Sequence, residues 1–104
     1  MDELIGKIEE TVARILEYDQ DGYEIAANDL ANIMIRVFPE IILYYSDPRM
    51  SDHSNDAGYW PAQLERILNA FNSGDDLATA DILYNETRAN LIELKGILKE
   101  KGMI

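Results

Sequence analysis

The chain has no cysteine, one histidine and one tryptophan among its 104 residues. Without cysteine it can form neither a disulfide bond nor a thiolate nucleophile. One imidazole without a serine or cysteine partner at a defined spacing does not make a hydrolytic triad, and the glycines are too scattered for a phosphate-binding loop. Because no catalytic constellation is complete, we expect a non-enzymatic protein that needs no cofactor.

Basic side chains are also scarce, with 9 lysines and arginines against 20 acidic residues and a net charge of −11. Such a surface repels phosphate backbones, so we expect no nucleic acid as partner. The most apolar stretch, 33–45, is too short to cross a bilayer and contains Arg36, Pro39 and Glu40. The acidic first residues do not resemble a signal peptide. These features predict a cytoplasmic protein that binds no membrane and interacts with a protein partner or with itself.

Apolar residues recur at spacings of three and four in four segments, and no segment has the two-residue period of a strand. The sequence therefore predicts an all-α fold, an antiparallel four-helix bundle built from two repeated helical hairpins in a single domain. Hairpin one covers about 2–46, an irregular linker covers 47–59, and hairpin two covers about 60–101. Pro39 falls inside the second helix, where we expect a kink rather than an end.

The last helix has the most regular apolar pattern of the chain. Its apolar residues follow an unbroken spacing of three and four, which is typical of the seam of a left-handed bundle. The seam consists of Leu77, Ala80, Tyr84, Thr87, Leu91, Leu94 and Leu98. We expect each of them to face the core.

The sequence repeats once at an offset of 52 residues, so that 6–36 aligns with 58–88 without a gap. Eight aligned pairs are identical: Gly6/Gly58, Arg14/Arg66, Ile15/Ile67, Leu16/Leu68, Gly22/Gly74, Ala26/Ala78, Asp29/Asp81 and Arg36/Arg88. A duplicated hairpin predicts that Gly22 and Gly74 lie at equivalent turns. The alternative is a chance similarity between two amphipathic hairpins.

Two of the repeated residues are acidic, Asp29 and Asp81, and lie at the edges of the apolar stripes. If the hairpins pack symmetrically, the two carboxylates could form a paired metal or acid–base site. Alternatively, each carboxylate caps a neighbouring turn or pairs with a repeat-matched arginine. Those arginines are Arg14, Arg66, Arg36 and Arg88. The Glu-x-x-His motif of di-metal bundles is absent, which favours the second alternative.

The only histidine, His53, lies in the linker between Asp52 and Asp56. Three such side chains could bind a transition metal, but a polar linker with one incidental histidine explains the same residues. The segments that begin at Glu17 and Asp52 have the alternating acidic residues of a calcium loop, but neither has both its glycine and its final glutamate. We therefore predict no metal ligands.

Residues 33–45 are apolar nearly all round the helix, which is more than one packed face requires. We expect this half of the second helix to carry the main interaction surface. Either the other helices and the loop 46–59 or a second chain must cover the surplus, and we favour a second chain. The aromatic residues at the ends of the linker are either interface anchors or a lid over one end of the bundle. The candidate interface residues are Ile35, Phe38, Ile42, Tyr45, Tyr59 and Trp60.

The segment A-D-I-L-Y-N-E at 80–86, preceded by N-A-F-N-S-G-D at 69–75, resembles small uncharacterised helical-bundle proteins of Gram-positive bacteria that carry an A-D-I-L-x-x-E segment. The resemblance implies an all-helical, cytosolic bacterial protein. It implies no activity, cofactor or catalytic residue.

Three functions are compatible with the sequence. The first is a protein–protein interaction module, homodimeric or bound to another protein, which fits the excess of apolar residues at 33–45. The second is an acidic inhibitor or immunity-type protein for a basic toxin or nuclease, which fits the net charge of −11. The third is a metal-binding bundle that uses Asp29 and Asp81.

Overall fold

The fold is entirely helical. The computed structural model describes all residues from 1 to 104, of which 86% are helical and none are in strands. Five α-helices pack compactly around one apolar core. They are α1 (Asp2–Leu16), α2 (Gln20–Tyr44), α3 (Tyr59–Ser73), α4 (Asp76–Asp81) and α5 (Ala89–Glu100). A 3-10 helix spans Pro48–Asp56 and a π-helical segment spans Ile82–Arg88. The predicted all-α class is confirmed.

The first two helices lie side by side. A tight turn between them reverses the direction of the chain. Tyr18, in the connecting turn, has a φ of 56°, in the left-handed region that tightens a turn. Asp19 caps α2, since its side chain accepts a hydrogen bond from the Gly22 amide at 3.0 Å. The apolar side of α1 then faces α2, α4 and the π segment. Fully buried Leu4 and Ile8 carry this contact.

The two turns between helices do not lie at equivalent places in the aligned halves. Gly74 ends α3 with a φ of 76°, a conformation that glycine adopts without the steric penalty of a Cβ atom. Gly22, which aligns with it, lies inside the first turn of α2. The prediction of equivalent turns is therefore wrong, and the different helix boundaries favour a chance similarity of two amphipathic hairpins.

The linker between α2 and α3 is helical rather than irregular, so that prediction is also wrong. Asp47 caps the 3-10 helix by accepting a hydrogen bond from the Arg49 amide at 2.9 Å, and Pro48 occupies a first-turn position suited to proline. Met50 anchors the segment because its side chain is fully buried. The Asp and Ser residues that suggested a loop also supply helix caps, so composition alone did not separate the two.

α2 continues through Pro39 to Tyr44. Proline has no amide hydrogen, so the carbonyl of Ile35, one turn earlier, lacks its helical donor. Both residues are exposed, and water or a bound partner can supply the missing hydrogen bond. Neither α2, the longest helix, nor any other helix has the length and apolar character needed to span a membrane.

The π segment changes which residues of the last helical stretch face the core. The backbone is helical from α4 to α5, yet Leu77 and Tyr84 of the predicted seam are exposed, and Leu83 is fully buried. A π turn holds one extra residue, so the buried face before it is shifted by one position. The predicted seam is wrong at Leu77 and Tyr84. It is correct at Ala80, at Thr87 and in α5, whose three leucines are buried.

Deleting Asn85 should convert the π segment to an α-helix and leave the fold intact. Asn85 is exposed, and removing one residue from a π turn restores the α-helical period while Leu83 stays on the core side. We expect the free energy of unfolding to change by no more than about 1 kcal/mol, or about 4–8 °C in Tm. Thermal unfolding followed by circular dichroism measures this.

Deletion of Ile92 is the matched control, because Ile92 is also exposed but lies in the regular helix α5. It rotates the following residues by about 100° and moves Leu94 and Leu98 out of the core. The expected loss is about 1.5–3 kcal/mol for each leucine. Equal destabilisation by both deletions would contradict the assignment of one extra residue to 82–88.

Candidate functional site

The two repeat-matched carboxylates have different partners. On Asp29, in α2, Oδ2 lies 3.8 Å from Nζ of Lys7 in α1. Asp81, at the end of α4, accepts a hydrogen bond from Asn85 Nδ2 at 2.5 Å. Both aspartates are exposed. Neither carboxylate pairs with a repeat-matched arginine, so the partners are side chains that the sequence did not point to.

The four repeat-matched arginines pair with other acidic residues. The pairs are Arg14–Glu17, Arg36–Glu3, Arg66–Glu86 and Arg88–Glu9. The Arg36–Glu3 pair, at 2.6 Å, joins α2 to α1. Because these side chains are partly exposed, each pair adds at most about 1 kcal/mol to stability. The arginines therefore stabilise helix packing locally and form no shared site.

His53 is held between two aspartates within the 3-10 helix. Its Nδ1 lies 3.3 Å from Asp56 Oδ2 and its Nε2 lies 3.5 Å from Asp52 Oδ2. A hydrogen bond from Lys101 at 3.0 Å lowers the pKa of the Asp52 carboxyl. No group of three or more histidine, aspartate or glutamate side chains is arranged to hold a metal ion. The metal-binding alternative gains no support here, and the cluster joins the linker to the end of α5.

One side of α2 is exposed and uncharged along most of its length. Its residues follow each other at spacings of three and four, so they lie in one stripe. We call this stripe the outer face of α2, formed by Ile25, Asn28, Asn32, Ile35, Pro39 and Leu43. Ile25, Ile35 and Leu43 are 67%, 58% and 69% exposed. The outer face is about 27 Å long at 1.5 Å per residue.

The charges beside the outer face are acidic. α2 carries four carboxylates and only one guanidinium, and that guanidinium, of Arg36, pairs with Glu3. Glu24 and Glu40 border the outer face, are exposed and form no ion pair. An uncharged stripe with such a border favours basic groups and repels further acidic ones.

The six candidate interface residues do not share one surface. Ile35 lies on the outer face of α2. Phe38 and Trp60 lie in the core at 1% and 2% exposure, with their rings 5.6 Å apart and nearly perpendicular. The half-buried residues that pack against the core are Ile42, Tyr45 and Tyr59. Of the four predicted aromatic anchors, two therefore belong to the core and two pack against it.

A cleft of about 330 Å³ lies among the linker, the start of α3 and α5. Three aromatic residues line it, Tyr45, Tyr59 and Trp60. Trp60 Nε1 donates a hydrogen bond to Tyr45 Oη at 2.9 Å, and Asn90 Nδ2 donates one to Tyr59 Oη at 2.7 Å. Each phenol therefore accepts one hydrogen bond and keeps its hydrogen and a second lone pair for another partner.

The charged lining of this cleft is acidic. Asp56 and Glu93 line it together with His53, and no lysine or arginine does. Burial raises the pKa of the Tyr45 phenol, the hydrogen bond from Trp60 opposes that shift, and the negative charges of Asp56 and Glu93 raise the pKa further. The phenol consequently stays protonated at neutral pH, and both carboxylates act on the cleft.

The linker wall of the cleft is held in place from both sides. Hydrogen bonds from the Arg49 side chain and amide keep the pKa of Asp47 at about 2, so this cap is ionised at all ordinary pH values. The Arg49 guanidinium also lies 3.4 Å from the carbonyl of Gly102. These contacts join the linker to the residues that follow α5.

No protein-family model, curated protein or solved structure matches this chain. Its function must be argued from the two surfaces themselves. The outer face of α2 offers apolar contact area with acidic borders. The cleft offers aromatic rings and carboxylates. Both arrangements are suited to binding.

Sequence reasoning did not identify the cleft. It placed the aromatic residues at the ends of the linker and His53 within it, but it named neither Asn90 nor Glu93 of α5. Asn90, Glu93 and Ile97 share one side of α5 by their spacing, and this was the only available signal. Nothing in the sequence states that this side faces the linker, because that depends on how the helices pack.

Proposed function

We propose that this chain is a non-enzymatic protein-binding module and that the outer face of α2 contacts a basic partner protein. The observation that carries the proposal is the exposure of Ile35 and Leu43 on an uncharged stripe bordered by unpaired Glu24 and Glu40. Exposed apolar residues rimmed by polar ones are typical of protein-interaction sites. The carbonyl of Ile35, which has no helical donor because of Pro39, adds an acceptor for the partner.

The size of the outer face explains why its acidic borders belong to the contact. A stripe about 27 Å long and about 10 Å wide covers about 270 Å², whereas a standard interface buries about 800 Å² on each partner. The contact must therefore extend onto neighbouring surface, where Glu24 and Glu40 lie. Basic residues of the partner would neutralise these carboxylates.

A second copy of the chain fits this surface less well than a basic protein. Each copy has a net charge of −11, and the borders of the outer face carry unpaired carboxylates, so two copies would bring like charges together. Self-association is the competing arrangement.

The scaffold for this surface is, we propose, an antiparallel four-helix bundle in a single cytoplasmic domain. The stretch 76–100 then counts as one helix with a π segment inside it. The short connections at 17–19 and 74–75 support antiparallel neighbours. The absence of cysteine is compatible with a reducing compartment.

An acidic inhibitor or immunity-type protein for a basic toxin or nuclease is the second candidate function. The four carboxylates of α2 against one guanidinium favour it, because complementary charge speeds association. The association rate with such a partner should fall at least about tenfold when salt is raised from about 0.05 to 0.3 M. A rate independent of salt would exclude this candidate.

Replacing Ile35 and Leu43 together by arginine should abolish partner capture without unfolding the chain. Both side chains are exposed, so the change removes apolar contact and places positive charges opposite basic groups. Because each interface anchor contributes about 2 kcal/mol or more, we expect at least about a hundredfold loss of captured partner. Quantitative mass spectrometry of proteins captured from lysate of the native organism measures this, with circular dichroism as the folding check.

The matched control replaces Leu16 and Leu77 by arginine. These residues are 62% and 72% exposed and lie outside the outer face of α2, so the change in charge and apolar area is similar. The control should capture the same partner as the unmodified chain. Loss of the partner by the control alone would place the interface elsewhere, and a dimer seen in sedimentation and disrupted by Ile35→Arg with Leu43→Arg would make a second copy the occupant.

A further inference from the structure

The cleft beside the linker has a chemistry of its own and shares no residue with the outer face of α2. We propose that it binds an organic cation, an ammonium or guanidinium group on an apolar stem. The positive charge lies at Asp56 and Glu93, and the stem packs against the aromatic lining. The proposal is independent of the partner of α2.

The size and apolar lining of the cleft define the stem. Its volume of about 330 Å³ is at the lower end of the range for small-ligand pockets, roughly 300–1,000 Å³. Trp60, Met50 and Leu94 are buried side chains of the lining. This space suits one aromatic ring or a short alkyl chain.

The sign of the ligand's charge follows from the ionisable lining. The two carboxylates exclude an anion, and Glu93 has no cation of its own in the structure. The basic residues in and beside the linker are already engaged, because His53 lies 3.3 Å from Asp56, Lys101 binds Asp52 at 3.0 Å and Arg49 binds Asp47 at 2.9 Å. A ligand cation therefore has no internal competitor at Glu93, and at Asp56 it shares the carboxylate with His53.

The aromatic residues add two further interactions with a cation. The second lone pairs of the Tyr45 and Tyr59 oxygens can accept hydrogen bonds from its N–H groups. The faces of tyrosine rings attract cations within about 6 Å of the ring centroid, whereas the Trp60 ring is only 2% exposed and lines the cleft from within the core. Carboxylates, phenol oxygens and ring faces together select a cation over a neutral molecule of the same shape.

The cation can come from two sources, a free amine or a lysine or arginine side chain presented by a protein. The recognition chemistry is the same for both. A protein side chain differs from a free amine because the main chain that carries it must remain outside the cleft. Binding of a short peptide and of a free amine therefore distinguishes the two sources.

Trp60 is the only tryptophan of the chain and lines the cleft, so its fluorescence reports occupancy directly. The probe is phenethylammonium, with 2-phenylethanol as the neutral analogue and 3-phenylpropionate as the anionic one. We expect a saturable change in Trp60 emission with phenethylammonium. Its affinity should exceed that of the alcohol at least about tenfold, because only the cation gains the charged and cation–π contacts. The carboxylate should produce no saturable change.

Removing the negative charge of the cleft tests the assigned residues. Asp56→Asn with Glu93→Gln should weaken phenethylammonium binding at least about tenfold, while binding of the alcohol stays unchanged. Glu100→Gln is the matched control, because Glu100 is also an exposed, unpaired carboxylate of α5 but lies outside the cleft. It should leave both affinities unchanged, and circular dichroism confirms that each variant is folded.

The peptide acetyl-Gly-Lys-Gly-amide provides the arm that distinguishes the sources. Binding at least as tight as that of phenethylammonium supports a protein side chain, whereas binding of the free amine alone supports a small molecule. Equal affinity for the amine and the alcohol would overturn the proposal, as would unchanged amine affinity in the double variant. The proposal would also be overturned if Trp60 responded to no probe at concentrations up to about 10 mM, because ordinary ligand sites have Kd values below that concentration.

Discussion

Leu91→Asp should unfold the chain at room temperature. Leu91 is completely buried in α5, within the single apolar core. An unpaired carboxylate or carboxylic acid at such a position costs several kcal/mol, and the lost apolar contact adds about 2–3 kcal/mol. The total is comparable to the whole stability of a small domain, about 5–15 kcal/mol. Circular dichroism should show loss of the cooperative thermal transition.

Ile92→Asp is the control for this prediction, since it introduces the same side chain one residue further along the same helix. Ile92 is exposed, so the variant should melt within about 5 °C of the unmodified chain. If Leu91→Asp melted in that range too, α5 would present a different side to the core.

Phe38→Ala should lower the free energy of unfolding by about 3–5 kcal/mol. Phe38 is fully buried in α2 and packs its ring edge-to-face on Trp60. The truncation leaves a cavity that the surrounding helices cannot close completely. Urea unfolding measures the loss. The emission of Trp60 in the folded variant should also shift, because its nearest buried ring is gone.

Phe71→Ala is the comparison, because Phe71 is the only other phenylalanine. It is half-buried, and its ring lies 6.5 Å from that of Tyr23. We expect a smaller loss of stability and no change in Trp60 emission. If Phe71→Ala were the more damaging of the two, the core would not be centred on the contact between α2 and α3 at Phe38 and Trp60.

The failure of the predicted seam in the last helical stretch has a specific physical cause. A regular spacing through Leu77 and Tyr84 assumes 3.6 residues per turn throughout. Burying Tyr84 would also bury its hydroxyl, which needs a hydrogen-bond partner. The π segment instead buries Leu83, and the Tyr84 ring lies under the Arg88 guanidinium at 4.6 Å. The spacing of apolar residues does not reveal such an inserted residue, because its stabilising effect comes from packing against the neighbouring helices.

The candidate surfaces show the same division between local and tertiary information. Ile35 was predicted as part of an interaction surface, and the structure exposes it on the outer face of α2. Ile25 lies outside the predicted range 33–45, and Leu43 lies inside it but was not among the six candidate residues, although both continue the same stripe. Phe38 has a spacing that also suits an exposed position, but it is buried because Trp60 of α3 lies opposite. The spacing of residues along a helix predicts which of them share one side. The neighbouring helices determine which side is buried.

Properties that depend on contacts three or four residues apart were readable from the amino-acid order alone. These are the helical class, the continuation of α2 past Pro39, and the buried leucines of α5 at 91, 94 and 98. Properties that depend on which elements face each other were decided only by the tertiary structure. The partners of Asp29 and Asp81, the burial of Trp60 and the cleft between the linker and α5 belong to this second group. Helical periodicity carries no information about them, because they join residues distant in the chain, and only packing of the apolar sides brings those residues together.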